Sequence, residues 1–289
     1  MKTGCASFAI IGGDKRQLFC AASLSEDGYA VTLGGFDSIK EMKNVEITSP
    51  FEAALLSDVI ILPLPCVNGK GEIPDPFSKS DIPLTADLMT AMKGKKIFCG
   101  MQERFKEVCP NLSGNIFDYY KREDFTVYNA YVTAEGALDV AMRTFEGTIL
   151  GSRCLVCGFG RIGKILTSML RSLGADVYAS ARKPEDLAWI ELAGAKAVRT
   201  DELHKLENFD IIFNTVPAQI FTSVLLAKIA TRAVLIDLAS GEGGVDKYAA
   251  ERLGITYIHA LSLPGKAAPK TAGEIIKNTI YHILEEDDR

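Results

Sequence analysis

A glycine-rich turn at residues 158–163, Gly-Phe-Gly-Arg-Ile-Gly, has the spacing of a site for the diphosphate of a dinucleotide. An apolar run at residues 154–157 precedes it, and apolar residues at helical spacing follow it. This order matters, because the N-terminus of the following helix supplies N–H donors and partial positive charge to the phosphates. Gly158 allows the tight turn, Gly160 lets the backbone approach the phosphates, and Gly163 lets helix and strand pack closely. We therefore expect a dinucleotide to contact Gly158, Phe159, Gly160, Arg161, Ile162 and Gly163.

The residues at the end of the next strand distinguish the two nicotinamide dinucleotides. An NAD site usually carries Asp or Glu about 20 residues after the first glycine, where it accepts a hydrogen bond from the ribose 2′-hydroxyl. Here Ser180 lies 22 positions after Gly158, and Arg182 and Lys183 follow it. A hydroxyl and two cations suit a 2′-phosphate, so the pattern favours NADP. The alternative is that Arg182 and Lys183 are solvated surface cations.

Two later strands end in polar residues that could reach the nicotinamide or a substrate, because ligands of such sheets bind at the carboxyl ends of the strands. The alternative for these residues is loop and helix capping. The candidates are Asn214, Thr215, Val216, Pro217, Asp237, Leu238, Ala239 and Ser240.

The elements that must position these residues alternate between strand and helix, which indicates an α/β fold with parallel sheets. Candidate strands cover residues 7–11, 29–34, 58–63, 96–99, 152–157, 176–180, 210–214, 234–238 and 256–259. Helices are expected at residues 16–26, 134–145 and 162–173. Residues 65–83 hold four prolines and read as a long loop, which is often functional.

The strand, glycine turn and helix that open each half of the chain predict two Rossmann-like domains. An amphipathic helix near the C-terminus is expected to pack on the N-terminal half. We therefore expect an N-terminal domain made of residues 1–130 and 272–289, completed by the C-terminal helix. Residues 131–271 are expected to form the dinucleotide-binding domain.

Composition narrows the classes of function. The 289 residues carry a formal charge of -5 and show no basic block, which argues against a nucleic-acid partner. No apolar run reaches the length of a membrane span, and the N-terminus reads as a first strand rather than a signal peptide, so a cytoplasmic protein is expected. Seven cysteines without an export signal are expected to be reduced. Cys154 and Cys157 lie three apart on a strand and should face opposite sides, so we expect no metal site there.

Three segments resemble the family of dipicolinate synthase A, one of the two subunits of dipicolinate synthase. They are residues 11–17 (Ile-Gly-Gly-Asp-Lys-Arg-Gln), residues 128–136 with Tyr-Asn and Thr-Ala-Glu-Gly, and residues 263–273 (Leu-Pro-Gly-Lys-Ala-Ala-Pro-Lys-Thr-Ala-Gly). Their order and spacing are similar over essentially the whole chain. The last segment is the most specific, and its prolines and glycines predict a loop. The resemblance implies an N-terminal substrate domain and a C-terminal NADP-binding domain. It also implies a second, flavoprotein-like subunit, dipicolinate synthase B, a homo- or hetero-oligomer, and a role in sporulation.

The activity that this resemblance implies is oxidation of dihydrodipicolinate, or of 4-hydroxytetrahydrodipicolinate with loss of water, to aromatic dipicolinate. NADP would accept the hydride. Such a substrate has two carboxylates and needs cationic or backbone donors, and the reaction needs a base. Candidate catalytic residues are Glu135, Asp14 and Lys270, and candidate substrate-binding residues are Arg16, Thr133, Pro264, Gly265 and Thr271. The alternatives are a capping pair for Thr133 and Glu135, a turn residue for Asp14, and solvated charges for Arg16 and Lys270. His259, at the end of a predicted strand, is a minor candidate.

Two other functions remain open. A D-2-hydroxyacid dehydrogenase shares the two-domain plan, but that group carries Ala-Arg-Gly where this chain has Ala239-Ser240-Gly241, so its carboxylate-binding arginine is missing. A non-catalytic NADP-binding regulatory protein has a different kind of function on the same fold. Such a protein would bind NADP without transferring hydride.

Overall fold

The computed structural model describes residues 7–112, 115–229 and 232–287. The chain divides into two compact units. Unit 1 consists of residues 1–129 and 268–289, and unit 2 consists of residues 130–267. The two expected boundaries, after residues 130 and 271, lie one and four residues from these. Cys5, one of the cysteines expected to be reduced, falls outside the described residues.

Unit 1 contains, within the described residues, a six-stranded parallel sheet with strand order β3-β2-β1-β4-β5-β6. Its strands are β1 (Phe8–Ile11), β2 (Val31–Gly34), β3 (Val45–Thr48), β4 (Val59–Ile61), β5 (Lys96–Cys99) and β6 (Ile116–Asp118). Its helices are α1 (Lys15–Glu26), α2 (Pro50–Leu56), α3 (Ala86–Met92), α4 (Gln102–Val108) and α11 (Pro269–Asp287). The order 3-2-1-4-5-6 is that of a doubly wound dinucleotide-binding fold.

The core of unit 1 lies on both faces of its sheet. On one face α1 and α11 bury Leu24, Ile276 and Ile280 against β1 and β2. On the other face α2, α3 and α4 bury a second cluster that includes Leu88 and Phe105. Burial on both faces explains why the central strands are continuous apolar runs. The prediction that the C-terminal helix packs on the N-terminal half is confirmed, since α11 packs along α1.

Unit 2 repeats this topology, and its sheet, as far as it is described, has the order β12-β11-β10-β7-β8-β9. Its strands are β7 (Arg153–Cys157), β8 (Asp176–Ala181), β9 (Lys196–Arg199), β10 (Ile211–Asn214), β11 (Val234–Asp237) and β12 (Thr256–His259). Its helices are α6 (Arg161–Ser172), α7 (Pro184–Leu192), α8 (Ser223–Ile229), α9 (Lys247–Arg252) and α10 (Leu263–Ala267). Helix α5 (Glu123–Thr144) contains the boundary between the units. The predicted α/β class with two parallel, Rossmann-like sheets is confirmed.

Two local predictions were wrong. The helix expected at residues 134–145 begins eleven residues earlier, at Glu123, so Thr133 and Glu135 lie inside α5 and do not cap a helix. The Pro-Gly-rich segment near residue 264 was expected to be a loop, yet it forms α10 and the first turn of α11. Pro264 lies near the start of α10 and Pro269 begins α11, and proline is tolerated in a first helical turn because its missing N–H has no partner there anyway.

Cys154 and Cys157 pack on opposite faces of the second sheet, as expected from their spacing. Both thiols are buried and unoxidised, as are those of Cys20, Cys66, Cys99 and Cys109. Among the described residues, no group of three potential metal ligands is found. None of the helices in the described ranges combines the length and apolar composition needed to cross a bilayer.

Candidate functional site

The glycine turn between β7 and α6 has the geometry that a dinucleotide needs. Gly158 has a φ of +95°, and a Cβ there would lie 2.5 Å from Thr215 Oγ1. A Cβ on Gly163 would lie 2.0 Å from the Gly158 carbonyl oxygen, so helix and strand approach too closely for any side chain. A Cβ on Gly160, by contrast, would meet nothing within 4 Å. Packing within the protein therefore does not require a glycine at position 160. The open space there fits a ligand that approaches the backbone.

A cavity of about 500 Å³ opens beside this turn. It is bounded by the turn itself, by the residues after β8 and β9, and by the segment after β10, all at the carboxyl ends of the strands. Its lining residues are Gly158, Phe159, Gly160, Ala181, Arg182, Lys183, Asp186, Thr200, Thr215, Val216, Pro217, Ala218 and Ile220. The cavity thus lies where open α/β sheets bind their ligands, at the point where the strand order reverses.

Other residues of the turn have separate places. Phe159 lines the cavity, and the ammonium of Lys164 lies 5.6 Å from the centre of its ring. Ile162 is half-buried against the core of unit 2. Arg161 is exposed at the first position of α6, where it follows the N-cap residue Gly160. Ile162 and Arg161 are not among the residues that line the cavity.

Two cations stand at one end of the cavity. Arg182 and Lys183 are exposed and line it, together with the carboxylate of Asp186 and with Thr200. Ser180 does not line the cavity, which corrects the expectation that its hydroxyl meets a phosphate. It is fully buried, and its hydroxyl donates to Cys157 Sγ at 3.4 Å. Successive side chains of a strand point to opposite faces of the sheet, so Ser180 points away from the face that carries Ala179 and Ala181.

Sequence reasoning did not find Asp186 or Thr200. Asp186 lies in the first turn of α7, four residues after Arg182 in the sequence, and Arg182 itself precedes the helix. Thr200 follows the edge strand β9, whose sequence Lys-Ala-Val-Arg lacks the apolar run that would have predicted a strand.

The opposite end of the cavity is formed by the segment after β10. Thr215, Val216 and Pro217 line it as predicted, and Thr215 Oγ1 donates to the Cys157 carbonyl oxygen at 2.9 Å. Asn214 and Asp237 were also expected to touch the ligand, but both are fully buried and do not line the cavity. Their side chains bond to each other at 2.8 Å.

The three residues after Asp237 likewise lie off the cavity. Leu238 and Ala239 are buried, and Ser240 is exposed; none of them is among the cavity residues. Contact of these three residues with the cofactor therefore stays a prediction. Asp237 accepts from backbone N–H groups of the loop after β11, in line with the loop-capping alternative.

In unit 1 the corresponding turn is closed by the chain itself. The Gly13 N–H donates to the Pro74 carbonyl oxygen at 2.7 Å, and the Asp14 N–H donates to the side chain of Gln17 at 2.9 Å. A Cβ on Gly12 would lie 2.8 Å from Ile73 and from the Pro74 carbonyl. The long segment at residues 65–83 thus folds onto this turn, and the donors that would face a phosphate already have partners.

Asp14 and Arg16 form a pair within the same turn. The Asp14 carboxylate caps α1 by accepting from the Arg16 N–H at 2.9 Å, and it also accepts from Arg16 Nε at 2.9 Å and Nη2 at 2.9 Å. The Arg16 Nη2 donates further to the Leu64 carbonyl oxygen at 3.0 Å. Arg16 is buried rather than a solvated charge, and Asp14 is a capping residue whose carboxylate is already bound.

The remaining candidates are distributed over both units. In unit 2, Thr133 is buried within α5, Glu135 is exposed, and Pro264 and Gly265 belong to α10. In unit 1, Lys270 and Thr271 are exposed in the first turn of α11.

The histidines contribute little to the cavity. His259 Nε2 lies 3.0 Å from the Ala239 carbonyl oxygen, and His204 Nδ1 lies 2.9 Å from the Asp201 carbonyl oxygen. His282 contacts the carboxylate of Asp124 at 3.0 Å in unit 1.

Comparison with known proteins assigns the two units to families. The family of the dipicolinate synthase A N-terminal domain matches residues 7–120. The family described as D-isomer specific 2-hydroxyacid dehydrogenase, NAD binding domain, matches residues 124–252. Unit 2 therefore contains a nicotinamide-dinucleotide-binding domain of the dehydrogenase type, which supports an oxidoreductase.

Relatives extend this similarity over the full length. Dipicolinate synthase A of Bacillus subtilis (strain 168) is 33% identical over 294 residues, covering 99% of this chain and 98% of its own. The crystal structure of dipicolinate synthase A from Bacillus halodurans is 30% identical, with a TM-score of 0.85, covering 97% of this chain and 99% of its own. A transhydrogenase from Sinorhizobium meliloti shares the fold at 15% identity, with a TM-score of 0.68, over 96% of this chain and 93% of its own. From the matches along both units, the chain belongs to the family of dipicolinate synthase A.

Proposed function

We propose that this chain oxidises dihydrodipicolinate, or 4-hydroxytetrahydrodipicolinate with loss of water, to dipicolinate, with NADP as the hydride acceptor. The observation that carries the proposal is the similarity to a dipicolinate synthase A over 99% of the chain. Dihydrodipicolinate loses one hydride to NADP⁺ and one proton to a base, and the products are dipicolinate and NADPH. The aromatic product makes the chemical step strongly favourable.

The choice of NADP is supported by the charges at one end of the cavity. Arg182 and Lys183 line it directly after β8, and no carboxylate ends that strand. Guanidinium and ammonium groups form charge-assisted hydrogen bonds with phosphate, which are roughly twice as strong as neutral ones. Asp186 is an opposing charge at the same end. Two cations against one carboxylate still leave a net positive end, which suits the 2′-phosphate.

For the substrate we propose a set of residues on both units. Lys270 and Thr271, exposed in the first turn of α11, offer an ammonium and a hydroxyl to one carboxylate. We keep Arg16, Thr133, Pro264 and Gly265 as further substrate-side residues. Glu135 is the proposed base, since the carboxylate of Asp14 is held by Arg16 and is a poorer acceptor for a substrate proton.

The partner and the setting are proposed from the same similarity. The relatives carry the name of one part of a synthase, and we propose that this chain also works with the flavoprotein-like dipicolinate synthase B, within a homo- or hetero-oligomer. Sporulation is the proposed setting, because dipicolinate is the product that the family name contains.

The test is an assay of NADPH formation by absorbance, with purified protein, NADP and freshly generated 4-hydroxytetrahydrodipicolinate. NAD replaces NADP in the control, and a parallel reaction contains dipicolinate synthase B. NADPH formation together with the ultraviolet band of dipicolinate supports the proposal. No reaction in the presence of dipicolinate synthase B, with NADP binding verified separately, contradicts it.

A second candidate is a D-2-hydroxyacid dehydrogenase, which the family match over residues 124–252 favours. Against it, Ser240 stands where that group has its carboxylate-binding arginine. The same assay with a panel of D-2-hydroxy acids separates the two functions.

A further inference from the structure

Asp237 is a fully buried carboxylate at the carboxyl end of β11, and it is bound by neutral donors. One of its oxygens accepts from the Asn214 side-chain amide at 2.8 Å and from the Ala239 N–H at 3.1 Å. The other accepts from the Gly244 N–H at 2.9 Å. A Cβ on Gly243 would lie 2.3 Å from that second oxygen, so the loop after β11 is wrapped closely around the charge.

Neighbouring groups leave this charge uncompensated. In the part of the chain that the structure describes, Asp237 has no ion pair with a lysine or arginine. Burial, with the charge of Asp237 adding to it, raises the pKa of the Tyr257 phenol to about 12. Burial also raises the pKa of the Cys157 thiol to about 11, with Asp237 contributing in the same direction. The imidazole of His259 is bonded to the Ala239 carbonyl oxygen. The phenol and the thiol that sense Asp237 are therefore neutral at physiological pH.

The carboxylate stands behind one wall of the cofactor cavity. Strands β10 and β11 are neighbours, and their register pairs Asn214 with Asp237. The Asn214 amide that bonds Asp237 also donates to the Val216 carbonyl oxygen at 3.0 Å, and Val216 lines the cavity. Arg182 and Lys183 stand after β8, in the other half of the strand order, where the adenosine ribose is expected. The wall formed by Val216 therefore faces the nicotinamide half.

We propose that Asp237 is a positioning and electrostatic residue that makes this chain bind the oxidised nicotinamide, which is cationic, in preference to the reduced ring, which is neutral. A buried, unpaired negative charge acts through a medium of low dielectric constant, so it attracts a nearby cation more strongly than a surface carboxylate does. The inference rests on the proposed function, in which the oxidised cofactor is the form consumed.

The experiment measures dissociation constants of the intact protein for NADP⁺ and NADPH by calorimetry, at a pH of about 8 where an imidazole carries little charge. In Asp237→Asn, the ratio of the constant for NADP⁺ to that for NADPH should rise on the order of tenfold. This corresponds to a potential of the bound couple about 30 mV more positive. The matched control is Asp237→Glu, which keeps the charge and disturbs the loop. It should weaken both forms together and leave the ratio unchanged.

The ratio separates charge from structure, because NADP⁺ and NADPH share every contact except those of the ring. An unchanged ratio in Asp237→Asn overturns the inference while leaving the proposed function intact. Wild-type protein gives an independent test that needs no variant: it should bind NADP⁺ more tightly than NADPH, and the opposite order also overturns the inference. Absence of NADPH formation from the dicarboxylate, with the expected ratio observed, would contradict the proposed function alone.

Discussion

Gly160 and Gly163 belong to the same turn, and alanine at each should fail in a different way. A Cβ on Gly163 would lie 2.0 Å from the Gly158 carbonyl oxygen, whereas ordinary contact begins at 3.4 Å. Helix α6 must therefore move by the difference, 1.4 Å. Such overpacking costs about 1–3 kcal/mol, and at about 2–4 °C for each kcal/mol Gly163→Ala should lower the Tm by roughly 2–12 °C. Cofactor affinity should fall as well, because the turn is displaced.

Gly160→Ala should leave the folded protein almost intact. A Cβ there meets nothing within 4 Å, and the φ of −78° suits any residue. The only cost is a poorer N-cap, about 0.5 kcal/mol. The methyl group instead stands where the diphosphate approaches, so the dissociation constant for NADP should rise about 5- to 150-fold, equivalent to about 1–3 kcal/mol. Calorimetric Tm and titration with NADP measure the two effects. Equal loss of Tm in both variants would refute the reasoning from the two Cβ environments.

Three further changes have defined outcomes. Replacing Arg182 and Lys183 by alanine together should weaken NADP about 10- to 100-fold and leave NAD nearly unchanged in binding titrations, because only NADP carries the 2′-phosphate; equal weakening of both dinucleotides would contradict this. The guanidinium of Arg122 lowers the pKa of the Asp124 carboxyl to about 2, so its stabilisation is complete above the ordinary value of 3.8 and is lost as pH falls from about 4 to 2. Urea unfolding of Asp124→Asn should show a smaller loss of stability over that pH range than wild type. An identical loss in both proteins would contradict a stabilising ion pair between Arg122 and Asp124. Gly273→Ala places a Cβ 2.5 Å from a backbone oxygen of α1, so Tm should fall by several degrees while NADP keeps its affinity for its proposed site in unit 2; reduced NADP affinity would contradict this prediction.

The parts of the fold that sequence patterns predicted are those buried on both sides. The four central strands β1, β4, β7 and β10 are largely buried apolar runs, and each is recognisable without a partner. The edge strands β3, β6 and β9 were missed because they are short, mostly exposed or half-exposed, and mix apolar with polar residues. Such sequences resemble those of loops. Their pairing is decided by tertiary contact, which no local pattern reports.

The sequence likewise predicted some features of the candidate site and missed others. Glycine spacing predicted the turn, because Gly158 meets a local requirement for positive φ, Gly163 meets one for close packing, and Gly160 leaves open space where a ligand can approach the backbone. Roles that depend on which way a side chain turns were not predictable. Ser180 lies next to the cavity residue Ala181, and Asp237 lies on β11, beside the strand whose following segment lines the cavity. Both side chains nevertheless point inward and bond to buried partners. Arg16 has its ion-pair partner two residues away, but its guanidinium also bonds the Leu64 carbonyl oxygen, far along the chain.

The closed glycine turn of unit 1 leaves the chain with one open dinucleotide site among the described residues, although both units share one topology. Both units have one topology, yet residues 73–74 rest on the first glycine turn and take up the Gly13 donor. A second dinucleotide could enter there only by displacing the chain's own segment and breaking its hydrogen bonds. The closed turn therefore predicts a stoichiometry of one cofactor for each chain. The first unit keeps the strand order of a nucleotide-binding domain, but residues 73–74 occupy the place beside its first glycine turn.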